Sequence, residues 1–325
     1  MSMNVKRIVV IGGGTGQATI LRALKQIPHI DITAIVTVAD DGGSTGRLRR
    51  AYHIPAMGDI RSVMIALAED EGLFSKLMQY RFELDELVEL SDEPNELLGH
   101  NLGNIILTAL TKQTGSFMEA VSIISKVLNV KGNIFPSTHQ VVRLIARMAD
   151  GTLVQGESNI PKSRNRIEEI FYDVEVKASK EAQKAIQQAD VIIYGIGSIY
   201  TSICPNLIIP EINKALQKSQ ALKIYCANAM TQAGETDGFS LEDHVRAIEK
   251  HAQSTIDVVL YAKDKLPEWV LNRYEQRDAK PVALSERKHS YRLIKRKLLR
   301  FDTGRVRHNV NRLHVVLKEI LEGEA

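Results

Sequence analysis

Apolar positions along the chain follow two periods. Val5 to Ile11 is β-branched and apolar without alternation, the pattern of a parallel strand covered on both faces and placed centrally in a sheet. Glycines follow. Gln17 to Gln26 then carries Ile20, Leu21 and Leu24 at helical spacing and is closed by Pro28, and Ile32 to Val38 reads as a second strand. Strand, glycine turn, helix and strand in close succession make a right-handed βαβ unit.

From Gly58 to Leu128 the signal is helical: Ile60, Val63, Met64 and Leu67, then Leu102, Ile105, Ile106 and Leu110, then Phe117, Val121, Ile124 and Leu128. Asp150-Gly151 separates Val142 to Met148, where apolar residues alternate with Arg143 and Arg147, from Thr152-Leu153-Val154, which predicts an antiparallel hairpin. Parallel α/β patterning then resumes, with helices over 178–189, 210–218, 241–251 and 313–321 and strands over 190–194, 222–227 and 256–261. Residues 1–325 are therefore read as one Rossmann-like, doubly wound, mostly parallel α/β domain. Residues 58–128 are placed as a helical insertion, 139–175 as a hairpin-containing insertion, and 286–325 as a basic C-terminal segment and helix.

Composition narrows the class. A 44% apolar and 25% charged chain excludes intrinsic disorder, collagen and coiled coil. Cys204 and Cys226 have no partner at metal-ligand spacing, so zinc and iron–sulfur sites lack a basis and a reducing compartment fits best. The apolar run after Lys6-Arg7 is too short for a signal peptide or a spanning helix, which points to the cytoplasm. Net charge is only +3, yet ten Lys and Arg between Glu286 and Arg312 face two acids, so that segment carries +8 and the rest −5.

Candidate chemistry lies at predicted element ends. Gly12, Gly13, Gly14, Thr15 and Gly16 stand at a strand-to-helix junction, where backbone N–H groups and the helix dipole can hold a phosphate. Gln17 occupies the place of the third glycine in a dinucleotide fingerprint, which weakens a nicotinamide reading. Asp40, Asp41, Gly42, Gly43, Ser44, Thr45, Gly46 and Arg47 read as a second anion nest with Arg47 as counter-charge. Asp40 and Asp41 together could hold Mg²⁺; the plain alternative is one capping aspartate and one solvated. Asp59 and Arg61 begin a helix, where Asp59 could be a cap. His100, Asn101 and Asn104 precede another helix, and a capping or core role competes with binding for the histidine. Gly197, Ser198, Tyr200 and Thr201 form a second cradle for phosphate or sugar, and Asn228 and Thr231 open a run suited to a base, ribose or sugar.

These runs resemble the YvcK/CofD-like family, in its YvcK-type gluconeogenesis-factor branch: IGGGTG (11–16), TVADDGGSTGRLR (37–49), GDIR (58–61), GHNLGN (99–104), GSIYTSICPNL (197–207) and MTQAGETDG (230–238). The resemblance covers about residues 5–280. It implies a Rossmann-like core of the CofD type that binds a nucleotide or nucleotide sugar, with UDP-N-acetylglucosamine (UDP-GlcNAc) the ligand of this branch. The implied role links gluconeogenic carbon metabolism to cell-wall synthesis and cell shape. The other branch holds 2-phospho-L-lactate transferases of deazaflavin cofactor synthesis; no deazaflavin pocket is legible, so a transferase stays the alternative and no catalytic residue is assigned. No cofactor is required on this reading, and Mg²⁺ is the one candidate. The basic C-terminal segment suits an acidic protein partner or a membrane surface, either as a basic amphipathic helix over 292–300 or as a solvated face. Nucleic acid is disfavoured by the absence of interleaved aromatics. A homo-oligomer is left open.

Overall fold

The computed structural model describes residues 5–69, 72–83, 96–285, 287–301 and 305–324. In chain order, β1 (Lys6–Gly12), α1 (Gly14–Leu24) and β2 (Ile30–Val36) form the expected βαβ unit, with β1 and β2 parallel and in register from Lys6↔Ile30 to Gly12↔Val36. A chain of helices follows: α2 (Gly43–Tyr52), α3 (Gly58–Leu67), α4 (Leu73–Gln79), α5 (Leu102–Thr114) and α6 (Phe117–Val127). They lead to β3 (Asn133–Pro136), which pairs parallel to β2. The helices of 58–128 thus belong to one long crossover between neighbouring parallel strands. Its helix α3 is part of the main architecture, packing directly on α1.

The predicted hairpin is present as β4 (Leu144–Met148) and β5 (Leu153–Gln155), and β6 (Ile167–Tyr172) adds a third antiparallel strand on the other side of β4. The chain returns through α7 (Lys180–Gln188) to β7 (Val191–Gly195). A π-helical turn over Ile199–Ile203 runs into α8 (Cys204–Leu207), followed by α9 (Pro210–Lys218), β8 (Leu222–Cys226), α10 (Leu241–Ala252) and β9 (Val258–Ala262). Then come α11 (Glu268–Glu275), β10 (Arg292–Arg296), the short pair β11 (Leu299–Arg300) and β12 (Arg307–His308), and α12 (Val310–Glu322).

The main sheet has the order β10-β9-β8-β7-β1-β2-β3, with every pair parallel. Strand order reverses between β1 and β7, which is where a doubly wound sheet opens a crevice at its carboxyl edge. Helices α1, α3 and α12 pack together, as do α7, α9 and α10. Ile8, Val10, Ile11, Ile35, Ile192, Ile193 and Ile224 are fully buried between such layers, and this explains the unalternating strand pattern. Each such side chain contributes roughly 1.5–3 kcal/mol by leaving water.

The C-terminal segment corrects the sequence reading. Arg292 to Arg300 is not an amphipathic helix: β10 forms the edge of the main sheet, with Ile294 buried while Arg292 and Lys295 are exposed. Charged residues on an edge strand discourage pairing with another chain. No helix among the described residues is long and apolar enough to cross a membrane.

Candidate functional site

The carboxyl ends of β1, β2, β7 and β8 bring the glycine turn, the acidic run and the second cradle to one crevice. Gly12 ends β1, Gly13 is the N-cap of α1, and Gly14, at φ +62°, begins the helix that contains Thr15 and Gly16. Close approach dictates the glycines here. A Cβ on Gly13 would lie 2.4 Å from Asp59 Oδ2 and 2.8 Å from Thr37 Cγ2, and one on Gly16 would lie 2.1 Å from the Ile196 carbonyl oxygen. The Gly16 contact seals the switch point between β1 and β7.

Gln17 explains the broken fingerprint. Its side chain is fully buried, and Nε2 donates to the carbonyls of Val10 (3.0 Å) and Ile35 (2.9 Å), tying the helix to two strands where a third glycine would only have allowed close packing. Asn206 works similarly from the other side of the crevice, donating from Nδ2 to Gly12 O at 3.2 Å.

The acidic run is not an open nest. Only 40–42 form a loop, and Gly43, Ser44, Thr45, Gly46 and Arg47 are the first residues of α2. A Cβ on Gly46 would sit 1.9 Å from Asp41 O, so the tight entry to the helix, rather than an anion, requires that glycine. Arg47 is also reassigned: it is exposed, and its Nη2 donates to Leu98 O at 2.6 Å. The two aspartates face different segments. Asp40 Oδ1 accepts from Gly42 N at 2.9 Å, whereas Asp41 Oδ1 accepts from Ser158 N at 3.0 Å, beyond β5.

The run 99–104 wraps the start of α2. Ser44 Oγ lies 3.1 Å from His100 Nδ1 and accepts from Asn101 N at 3.1 Å, while Asn104 Nδ2 donates to Ser44 Oγ and Thr45 Oγ1 at 3.4 and 3.3 Å. Asn101 caps α5, accepting from Asn104 N. Asp59 does not cap α3, whose N-cap is Met57. Its carboxyl is buried beneath the glycine turn, where it accepts from Gly14 N.

Two arginines approach this region: Arg49 is buried and donates Nη1 to the carbonyls of Ala39 and Asp40 at 3.4 and 3.2 Å, whereas Arg61 is half-buried with unmatched donors. The Arg61 Nε and Nη1 atoms are buried and have no hydrogen-bond partner among the described residues, and Asn104 Oδ1 is likewise unmatched there. Burial lowers its pKa to about 10, with Arg81 contributing and Asp59 and Asp40 opposing. Unsatisfied buried donors are costly and call for a partner. Three carboxyl groups are pushed the opposite way. Burial, then Asp40, raises Asp59 to about 7; burial, then Asp40 and Asp59, raises Glu157 to about 8; and burial raises Asp40.

In the second cradle, Asn228 clasps Gly197, accepting from its N–H at 3.4 Å and donating to its carbonyl at 2.8 Å. The hydroxyls of Ser198 and Thr201 both donate to Glu235, which is almost wholly buried. Tyr200 is turned inward, edge-on to Phe239 and His251. Thr231 is structural, exchanging hydrogen bonds with Lys280. Glu157 carries no sequence signal, because it reaches the crevice from the far end of the hairpin. Glu235 stood within a quoted motif, but only the fold reveals that it organises Ser198 and Thr201.

Among the described residues, no three His, Cys, Asp or Glu side chains converge to hold a metal ion. Mg²⁺ is commonly held by one or two carboxylates with ligand phosphates completing its shell, a donor set to which Asp40 could contribute.

Strand order, switch point and glycine turn define a Rossmann-like protein of the doubly wound α/β class. Over residues 8–299 the sequence matches the family described as 2-phospho-L-lactate transferase CofD, and the chain belongs to that family. It is 45% identical over 288 residues to the gluconeogenesis factor of Halalkalibacterium halodurans, covering 88% of this chain and 86% of that one. It is 42% identical over 321 residues to the gluconeogenesis factor of Bacillus subtilis, covering 97% and 98%. A crystal structure of a Bacillus halodurans protein superposes with a TM-score of 0.89 at 41% identity, over 96% of this chain and 99% of that one. The family resemblance and fold class expected from the motifs are both borne out.

Proposed function

We propose that the protein is a nucleotide-sugar-binding regulatory factor, with UDP-GlcNAc as its ligand, whose occupancy links gluconeogenic carbon metabolism to cell-wall synthesis and cell shape. The observation that carries the reading is Arg61: a guanidinium whose buried Nε and Nη1 are unmatched among the described residues, packed against Gly103 and two positions after Asp59, whose carboxyl lies under the glycine turn. A diphosphate supplies the acceptors that Arg61 lacks and meets the α1 N-terminus. The gluconeogenesis factors among the relatives support the regulatory role. The protein acts in the cytoplasm on this reading, and its basic C-terminal segment meets an acidic partner or a membrane surface.

A CofD-like transferase using a nucleotide-activated phospholactate and Mg²⁺ is the second reading, favoured by the family match and the carboxyl group at Asp40. A thermal-shift panel of UDP-GlcNAc, GDP, NAD and deazaflavin, each with and without Mg²⁺, separates the two. At about 100 times its dissociation constant a ligand adds about 2.7 kcal/mol of stability. Stabilisation by UDP-GlcNAc alone is expected; stabilisation by GDP and deazaflavin together would favour the transferase.

A further inference from the structure

A cleft of about 1040 Å³ opens beside the crevice, between the small sheet and α10, and shares with it Tyr200 and Glu235. Five cations line it, Arg164, Arg166, Arg246, Lys250 and Arg287, against five acids, but the cations are unevenly paired. Asp243 gives Oδ2 to its capping box, accepting from Ser240 N and Oγ at 3.0 and 2.8 Å. Its Oδ1 faces two guanidiniums, Arg287 at 2.8 Å and Arg246 at 3.4 Å, so one carboxylate serves two arginines. Lys250, one helical turn beyond Arg246, donates Nζ to a backbone carbonyl, Glu168 O, at 2.9 Å. On the opposite wall the Arg166 guanidinium makes no hydrogen bond or ion pair among the described residues. Of the remaining acids, Asp278 is paired with Arg164, Glu235 is turned onto Ser198 and Thr201, and Asp237 accepts from Gly234 N, which leaves the exposed Glu168 as the acid facing the other cations.

We propose that this cleft is a second anion site, which takes a small phosphorylated metabolite gripped between Arg166 and the Arg246–Lys250 face of α10. A phosphate dianion offers acceptors to the donors left over on Arg166 and on the Arg246–Arg287 pair that shares Asp243, and arginine meets phosphate with paired N–H donors. The volume stands at the upper end for small-molecule sites. Occupancy would fasten the small sheet to α10, and that sheet also delivers Glu157 to the crevice. The cleft therefore suits an effector that acts on the first site, and its existence does not depend on what the first site binds.

The test uses the full chain and inorganic pyrophosphate as the probe, with calorimetric stoichiometry as the readout. Wild type is expected to bind two equivalents and Arg166→Ser/Arg246→Ser one, with UDP-GlcNAc affinity within about threefold of wild type. Arg166→Gln, a milder change, is expected to weaken the second equivalent at least fivefold. A doubly substituted protein that still binds two equivalents overturns the proposal. So does a wild type that binds a single equivalent, lost only in Arg61→Met, although that result leaves the nucleotide-sugar reading intact. If Arg61→Met instead keeps two equivalents while Arg166→Ser/Arg246→Ser loses one, the second site stands and the first reading fails.

Discussion

Full burial beneath the glycine turn holds the Asp59 carboxyl near 7, with Asp40 the next cause. A carboxyl raised in the folded state favours folding least at high pH. The chain therefore loses stability as pH climbs from about 4 to about 7, by up to about 4 kcal/mol for a shift of this size. Asp59→Asn keeps an acceptor for Gly14 N and removes the charge, so it is expected to raise the ligand-free melting temperature at pH 8 and leave it nearly unchanged at pH 4. An equal shift at both values would show that Asp59 titrates normally. Gly13→Ala tests the opposing wall: its methyl would overlap Asp59 and Thr37, and a loss of about 1–3 kcal/mol in chemical denaturation is expected. The glycines were legible from sequence as a strand-to-helix turn. Their dependence on a buried carboxyl some 45 positions along the chain was not, because local sequence does not encode which side chain lies behind a turn.

Strands and helices with one strong period were legible, and those whose pattern is set by neighbours were not. β1, β7 and β8 read correctly because burial on both faces leaves most of their residues apolar, with Lys6 and Arg7 at an exposed end and Lys223 as an exception. α2 was hidden: its first turn is Gly, Ser, Thr and Gly, weak helix formers held in place by contacts with His100, Asn101 and Asn104. β10 was read as either an amphipathic helix or a solvated face, and not as a strand, because Arg, Leu, Ile and Lys suit either period over five residues. Its cations are partly committed within the fold, as Arg296 is to Glu319. Lys295→Glu/Lys297→Glu is therefore the cleaner docking variant, expected to keep UDP-GlcNAc affinity within about threefold, since exposed charges are screened beyond about 10 Å. Growth rescue on gluconeogenic carbon should fail; full rescue would make the strand a solvated edge. Nearby, burial drives His308 of β12 down to about 4 despite Asp264 and the Ala227 carbonyl. A depressed histidine loses its stabilising effect as pH falls from 6.5 toward 4, by about 3 kcal/mol in total. Amide exchange in β11, β12 and α12 should accelerate over that interval, and His308→Gln should flatten the dependence.

Across the whole molecule, the parallel core and the motif-bearing loops were readable from sequence because the switch-point rule ties strand ends to ligands. The small sheet was only half readable, since β6 has apolar residues at just Ile167, Ile170 and Phe171 and pairs through a register shift with β4. That sheet brings Glu157 to Asp40 and Asp59, and the three set how the crevice responds to pH. Without Mg²⁺, affinity for a diphosphate should fall as pH rises from 6 to 9, because Asp59 and Glu157 ionise at about 7 and about 8 against an anionic ligand. With Mg²⁺ the fall should shrink, and Asp40→Asn should remove the difference; identical profiles would exclude a metal from the site. The central claim, that Arg61 and the glycine turn hold the diphosphate of a nucleotide sugar, is tested most directly by calorimetric titration of UDP-GlcNAc into wild type and Arg61→Met at equal pH and salt. Wild type should bind one equivalent, and Arg61→Met at least tenfold more weakly with an unchanged circular dichroism spectrum, since a charged hydrogen bond contributes about 1.5–3 kcal/mol. Equal affinity in a folded Arg61→Met, or no binding to wild type, would contradict it.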